Sequence, residues 1–393
     1  MAAKMTAEVY RVTEPASDRL VRNLFFWRDI PLEDLGGIRE EKTVMIIRYG
    51  AIGDMIMVSS LLTSLKEDGY RVCVNTEGRG MEILKHDPSI DEFIVQEQGQ
   101  IDPTLLKEWT EFLGQMFERV IDLSRSVEHH SLAVGYQKMK VKGVDTFLAP
   151  SPQFELSHEE REELYGEKNY LEETHKIAGV PFVPRPRFYP TLPERRTARV
   201  AIDKFKKKNG LRTIVVWALT GSTAHKMYPY MDDAIKLVFA KGKDIGIMFV
   251  GAEWDRILGD PWKYEPRISN VAGRMTVRET LTLALLADIV VGPETGVMNA
   301  ASHEPNKKIL FLSHSNHTNL SRDWVNTVAL HTKKAECYPC HQLHLRVAEC
   351  PADEITMMPV CTDLDPIKVA NEILKPAQAY PDKLDDTELL RTA

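Results

Sequence analysis

The sequence predicts an α/β protein made of two doubly wound halves. Three observations carry that expectation. Short, wholly apolar runs recur and end in glycine-containing turns, as buried parallel strands do. Segments with apolar residues at helical spacing follow them, giving the strand–helix alternation of a parallel sheet. Residues 180–193 then hold five prolines, which regular elements do not accommodate, so a domain boundary is expected there.

The first half opens with VMII at 44–47, read as a buried strand, and a turn containing Gly50 and Gly53. Met55, Val58, Leu61, Leu62 and Leu65 recur at helical spacing until Gly69. Residues 71–75 (RVCVN) read as the next strand, with further strands expected at 90–95 and 119–123. The second half restarts at 213–217 (TIVVW) with a turn at 221–223, then a strand and turn at 245–251. A helix over 276–287 leads through a strand at 288–291 into the loop Gly292-Pro293-Glu294-Thr295-Gly296. A short helix over 297–302 and a strand over 309–312 complete the series. Ligands in such sheets bind beyond the carboxyl ends of the strands, so an interdomain cleft is the expected site. The expected organisation is an N-terminal extension at 1–42, a first domain at 43–190, a second at 191–375 and a tail at 376–393.

Composition narrows the function. The chain has 393 residues, 43% hydrophobic and 27% charged, which is ordinary for a globular protein of two or three domains. Its net charge is −7, from 50 basic and 57 acidic residues, which argues against a nucleic-acid partner. The one dense basic run, 204–208 (KFKKK), reads as a solvated helix end. No apolar stretch approaches the roughly 20 residues that span a bilayer, and the first residues lack the apolar core of a secretory signal. A cytoplasmic protein is expected. The triplet Phe25-Phe26-Trp27, between Arg22 and Arg28, reads as part of a packed amphipathic helix or as a peripheral contact with the inner face of the membrane.

Three loops that each follow a strand and precede a helix are placed to carry chemistry. The first is Arg48-Tyr49-Gly50-Ala51-Ile52-Gly53-Asp54. Its glycines let backbone approach a ligand and its helix start attracts anions. Asp54 reads either as a helix N-cap or as a general base. The second is Gly221-Ser222-Thr223-Ala224-His225-Lys226, whose hydroxyls, amides and lysine suit a diphosphate. The third is residues 292–296, where Glu294, Thr295 and the amides around Gly296 and Val297 stand at a strand end. Together they suggest a phosphorylated ligand held by one half and worked on by a carboxylate of the other.

Four stretches of the chain resemble glycosyltransferase family 9, the ADP-heptose:lipopolysaccharide heptosyltransferase family. The run IIRYGAIGDMIMVSSLLTSLK resembles its opening strand, loop and helix, and ADIVVGPETGVMNAASHEPNKKILFL its second signature. GSTAHKMYP and AGRMTVRETLTLALLA resemble the segments between them, in the same order. The resemblance implies a GT-B fold, with an acceptor-side Rossmann-like domain first and a nucleotide-sugar-binding one second. It also implies inverting transfer without a catalytic cofactor or metal, ADP-heptose as the favoured donor, and a glycan, lipopolysaccharide or protein acceptor. By that resemblance Asp54 is the general base, Lys226 contacts the donor phosphates, and Gly53, Gly221, Ser222 and Thr223 line the loops around them. Thr295, Gly296 and Val297 cradle the diphosphate, while Met275, Thr276 and the region of Glu253 wall the nucleoside. Ser124 and Arg125, after the strand at 119–123, fall on the acceptor side, where Arg125 and the pair His129-His130 read as contacts to an anionic acceptor or as a solvated loop. Two positions depart from the pattern: Glu294 stands for the usual aspartate and Asn299 for the usual histidine. Both touch the donor pocket and leave open a catalytically inactive sugar-nucleotide-binding or scaffold protein.

Four of the five cysteines, Cys337, Cys340, Cys350 and Cys361, fall within residues 337–361. In a reducing compartment the Cys-x2-Cys pair followed by two more reads as a closed, structural metal site or as reduced structural or opportunistically paired thiols. His341 and His344 are alternative ligands. Sulfur ligands do not choose between zinc and iron, but the segment resembles a four-cysteine finger of protein-modifying heptosyltransferases that holds iron.

Overall fold

The computed structural model describes residues 9–14, 17–23, 42–95, 116–123, 144–146, 157–341 and 350–376. The chain divides into unit 1, residues 1–157 and 168–189, and unit 2, residues 158–167 and 190–393.

Unit 1 is built on a seven-stranded sheet of order β1-β2-β5-β4-β3-β6-β7. Its strands are β1 (Val9–Glu14), β2 (Ser17–Asn23), β3 (Thr43–Ile47), β4 (Arg71–Thr76), β5 (Glu92–Val95), β6 (Arg119–Asp122) and β7 (Val144–Thr146). All neighbours pair in parallel except the hairpin β1–β2. Every residue of β3 is buried, as a central parallel strand with both faces covered requires. Helix α1 (Ile52–Glu67) follows it, and Met55, Val58, Leu61, Leu62 and Leu65 are all buried, as their spacing predicts. Gly69 leaves the helix with φ 83°, a conformation that favours glycine. Helices α2 (Gly78–Leu84) and α4 (Tyr170–Ala178) complete the described part of the unit. The first 42 residues hold more than a lead-in, because β1 and β2 extend the sheet beside β5. The aromatic triplet at 25–27 lies outside the described residues.

Unit 2 carries a parallel six-stranded sheet of order β10-β9-β8-β11-β12-β13. Its strands are β8 (Thr213–Ala218), β9 (Ile245–Val250), β10 (Ile268–Asn270), β11 (Ile289–Pro293), β12 (Lys307–Phe311) and β13 (Thr327–Leu330). Alternation along β8 splits the core in two. Val215 and Trp217 join Ile235, Val238, Val369 and Ile373 beneath α6 (Met231–Lys241) and α9 (Pro366–Leu374). Ile214 and Val216 join Ala198, Ile202, Leu283 and Met298 beneath α5 (Leu192–Asn209), α7 (Val277–Leu286) and α8 (Gly296–Ala301). Helix α3 (His158–Tyr165) also belongs to this unit.

The fifth proline of the 180–193 segment, Pro193, does sit inside a regular element. It occupies the first turn of α5, where the missing N–H has no helical partner to lose. Thr191 and Glu194 form a reciprocal capping box there. The 204–208 run is the last turn of the same helix, which closes on Gly210 at φ 64°.

Strand order locates the ligand-binding edges. In unit 1 the chain winds outward from β3 through β4 and β5, then crosses to β6, so the order reverses between β3 and β6. In unit 2 it reverses between β8 and β11. Such switch points open a crevice at the carboxyl ends of the two strands. The three loops singled out in the sequence are the ones that follow β3, β8 and β11.

Candidate active site

In unit 1 the loop after β3 turns through Gly50 at φ 134°, where a Cβ would come 2.7 Å from Asp54 Oδ2. Asp54 occupies the third position of α1. Its Oδ2 accepts the Ala51 N–H at 2.9 Å, and its Oδ1 accepts from Arg48 Nη2 at 2.5 Å. The helix-capping role is therefore present. Each carboxylate oxygen offers about two lone pairs, so both retain one for a substrate hydroxyl, and the side chain is 24% exposed. Arg48 also donates from Nη1 to the carbonyl of Leu123, tying the loop after β3 to the end of β6 across the switch point. Tyr49 donates to Asn75 Oδ1 at 2.6 Å, anchoring the other side of the turn. Gly53 is buried in the first turn of α1. Ser124, Arg125, His129 and His130 lie outside the described residues.

The loop after β8 places Lys226 over Gly221: a Cβ there would stand 2.5 Å from Lys226 Cδ, so the glycine makes room for the lysine stem. Residues Ala224–Lys226 form a short 3-10 turn. Thr223 Oγ1 contacts the His225 ring at 3.1 Å, while Ser222 is exposed. The ends of the paired strands β11 and β8 lie close together, since a Cβ on Gly292 would meet Ala218 Cβ at 2.8 Å. Thr295 caps α8 without a side-chain bond, and its buried Oγ1 has no partner among the described residues. Asn299, where the family pattern has histidine, donates from Nδ2 to the Thr295 carbonyl at 3.0 Å. Gly296 and Val297 form the first turn of α8. Met275 packs half-buried against the core cluster beneath α7. Thr276 is spent on the N-cap of α7, bonded to Glu279. The exposed Glu253 lies with its backbone against Gly273, where a Cβ would come 2.4 Å from the Glu253 Cα.

Glu294 is 5% exposed. Burial pushes its carboxyl up, but the charge and hydrogen bond of the adjacent His314, the charge of Lys226 and the Ser315 hydroxyl outweigh this and hold it down to about 2. The charge of Lys226, on the second loop, thus acts on Glu294 of the third. Sequence reading assigns no role to four residues here. Arg48, Ser313, His314 and Ser315 acquire their roles through strand pairing, although the strand-end run SHS at 313–315 repeats the small-hydroxyl chemistry of the second loop.

The four clustered cysteines are all half-buried. Burial and the negative charges of Cys340, Cys350 and Cys337 push the Cys361 thiol up to about 12. None of the five cysteines is in a disulfide. Among the described residues, no group of three or more His, Cys, Asp or Glu stands at coordinating distances for a metal ion. His341 is committed elsewhere, with Nε2 at 3.0 Å from Glu162 Oε2 on α3. His344 lies outside the described residues.

No protein-family model matches the sequence, and no curated protein matches it. Solved structures do. A glycosyl transferase of family 9 from Veillonella parvula DSM 2008 superposes with a TM-score of 0.60 at 11% identity, over 84% of this chain and 96% of that one. The E. coli ADP-heptose lps heptosyltransferase II gives 0.57 at 13% identity, over 84% and 97%. The iron-containing dodecameric glycosyltransferase TibC of enterotoxigenic E. coli gives 0.50 at 11% identity, over 84% and 77%. This likeness establishes the fold class: α/β, with two Rossmann-like units of the GT-B kind.

Proposed function

We propose that this chain, built on the fold of family 9 glycosyltransferases, transfers a sugar from a nucleoside-diphosphate donor to a glycan, lipopolysaccharide or protein acceptor. A heptose carried on ADP is the favoured donor. One observation supports the reading: the loop bearing Lys226 and the helix start at Gly296 follow β8 and β11, the neighbouring strands that flank the switch point of unit 2. A diphosphate leaving group gains negative charge as its bond to the sugar breaks, and a lysine with preoriented amides stabilises that charge. Asp54 in unit 1 supplies the base that takes the proton from the acceptor hydroxyl. Attack opposite the leaving group then inverts the anomeric centre, and neither role calls for a catalytic metal. Met275 walls the nucleoside, Ser222 and Thr223 face the phosphates, and Ser124 and Arg125 serve the acceptor.

Calorimetry with ADP and ADP-heptose tests the donor site. Lys226→Ala is expected to weaken nucleoside-diphosphate binding by about 1.5–3 kcal/mol, the range for a charged hydrogen bond. Gly221→Ala should weaken it in the same direction by displacing the lysine stem. Unchanged affinity in both variants would place the phosphates elsewhere. A second reading, a nucleotide-sugar-binding protein without turnover, draws on Glu294 and Asn299, which replace the family's polar residues and are both bonded within the protein. Binding of ADP-heptose with no release of ADP in the presence of a lipopolysaccharide-core acceptor would favour it.

For the cysteines we infer one structural zinc or iron ion. The electrostatic influence of Cys340, Cys350 and Cys337 on the half-buried Cys361 supports it, although no metal-holding group is formed among the described residues. Native mass spectrometry should find about one ion per chain, the stoichiometry of a four-thiolate site. Cys340→Ser should lower metal content and melting temperature more than transfer rate. Metal-free protein of unchanged stability would leave the cysteines as reduced structural thiols. No helix among the described residues is long and apolar enough to cross a membrane. Cytoplasmic placement, with peripheral contact at the inner membrane face, remains part of this reading.

A further inference from the structure

The turn after β9 repeats the one after β3. Gly251-Ala252-Glu253-Trp254-Asp255 and Gly50-Ala51-Ile52-Gly53-Asp54 share the pattern G-A-x-x-D. In each, the alanine is the N-cap and the aspartate is the third residue of the helical segment that follows. Asp255 Oδ2 accepts the Ala252 N–H at 2.8 Å, as Asp54 Oδ2 accepts that of Ala51. A Cβ on Gly251 would stand 2.5 Å from Asp255 Oδ2, so the glycine lets the carboxylate fold back onto its own turn. The two aspartates differ in access and in the partner of Oδ1. Asp54 is half-buried and pairs with Arg48. Asp255 is buried, and its Oδ1 accepts the Thr220 hydroxyl at 2.7 Å. Asp255 therefore has the cap of Asp54 without its opening to solvent.

The Thr220 bond lies where the sheet hands over to the loop bearing Lys226. The backbone contacts between β8 and β9 run out to the Leu219 N–H, which donates to the Val250 carbonyl at 3.0 Å. Thr220 comes next, and its side chain extends the attachment one residue further. The chain then turns at Gly221, where the Lys226 stem occupies the space of a side chain. The Lys226 N–H closes the short turn on the Thr223 carbonyl at 3.0 Å. On the other side, Asp255 stands two residues from Glu253, whose backbone presses against Gly273 at φ 66°. The Gly273 N–H donates to the Gly251 carbonyl at 3.0 Å. The loop after β9 is thus fixed to the turn before α7, and Thr220 is fixed to that loop by a bond to a carboxylate, stronger than one between neutral groups.

We propose that Asp255 is a positioning residue of the donor site: by accepting the Thr220 hydroxyl it holds the start of the loop that carries Lys226 against the loop that carries Glu253. The phosphate contact and the nucleoside wall are then set in place before the donor arrives. The ligand class rests on the donor-site reading above. The anchoring of residues 221–226 does not.

The test uses the full chain, with ADP calorimetry and with hydrogen exchange of residues 221–226 in the absence of ligand. Thr220→Val keeps the shape of the side chain and removes the hydroxyl. It should speed exchange at 221–226, where local opening is read directly. It should weaken ADP binding roughly 5–20-fold, because the nucleotide must then order the loop as it binds. Thr220→Ser keeps the hydroxyl and should return both readouts close to wild type. Thr220→Ala loses the hydroxyl with no added bulk and covers the case in which the valine variant does not fold. A purely structural role predicts faster exchange throughout unit 2 and a lower melting temperature, with ADP affinity unchanged well below melting. That result overturns the proposal, and so does a serine variant no better than valine. If wild type binds no ADP while exchange at 221–226 rises in Thr220→Val and recovers in Thr220→Ser, the anchoring stands and the donor reading falls. If Lys226→Ala loses ADP but Thr220→Val moves neither readout, only this inference fails.

Discussion

Asp54→Asn is expected to slow sugar transfer by about 10²–10⁴-fold, the contribution of a positioned general base, while leaving donor affinity nearly unchanged. The structure sharpens what the substitution does. The amide oxygen of asparagine still accepts the Ala51 N–H that Oδ2 now takes at 2.9 Å, so the start of α1 survives. The amide nitrogen would face Arg48, which now donates to Oδ1 at 2.5 Å, so the variant also breaks that ion pair. Arg48→Met separates the two effects, because it removes the pair and keeps the carboxylate. If Asp54 serves only the cap and the pair, Arg48→Met should slow transfer as much as Asp54→Asn. If Asp54 is the base, Arg48→Met should retain most of the rate. Release of ADP from ADP-heptose with an acceptor present measures both. A folded Asp54→Asn protein with near-normal turnover would remove the base role and leave the helix cap as the residue's whole function.

The fold is legible in the sequence where hydrophobic periodicity is strong. The runs at 44–47 and 214–217 are wholly apolar because β3 and β8 are central strands covered on both faces. The glycine turns after them read as ligand loops because a switch point needs backbone near the ligand. The hairpin of β1 and β2 is not legible. Its segments VYRVTE and SDRLVRN mix charged and apolar residues, so neither presents the continuous apolar run by which the central strands are read. Pro193 departs from expectation for a different reason: a count of prolines does not distinguish helix interiors from first turns.

The site is legible loop by loop but not as an ensemble. Glu294 and His314 lie 20 positions apart, and nothing local joins them. Their contact follows from the parallel register of β11 and β12, which sets Pro293 opposite Phe311. Each chain then runs on past its strand end, and Glu294 meets residues 313–315. A family pattern alone would assign Glu294 to the donor. Only the backbone pairing shows that its oxygens are already taken. Arg48 is hidden in the same way, inside a motif where it reads as a basic residue of no stated role, until the pairing of β3 with β6 sets Leu123 beside it.

The largest stability effect is expected from Arg278→Met. Arg278 lies on α7 with its side chain 2% exposed, and it grips Glu194 of α5 with two parallel bonds, Nε to Oε1 at 2.6 Å and Nη2 to Oε2 at 3.0 Å. Glu194 Oε2 also accepts the Thr191 N–H at 2.6 Å, so the same carboxylate closes the capping box that starts α5. Burial raises the Glu194 carboxyl, but the Arg278 bond and charge and the Thr191 bonds together hold it below its usual value. Removing one partner of a buried pair costs about 3–5 kcal/mol because the other charge is stranded. At roughly 2–4 °C per kcal/mol for a unit of this size, melting should fall by about 6–20 °C. The effect should fall on the transition of unit 2, since both helices belong to it. Sign follows from linkage: a depressed carboxyl stabilises the fold fully above its unfolded pKa and loses that contribution as pH falls through the folded value. Wild type should therefore lose stability on acidification from about pH 5 downward, and Arg278→Met should lose correspondingly less, having given up the contribution already. Arg278→Met/Glu194→Gln should recover part of the loss at neutral pH, because the stranded charge is gone while the amide oxygen can still accept from Thr191. Chemical denaturation of the three proteins at pH 7 and pH 4 checks both statements. Equal stability of Arg278→Met and wild type at pH 7 would show that this pair orients α5 and α7 without stabilising their packing.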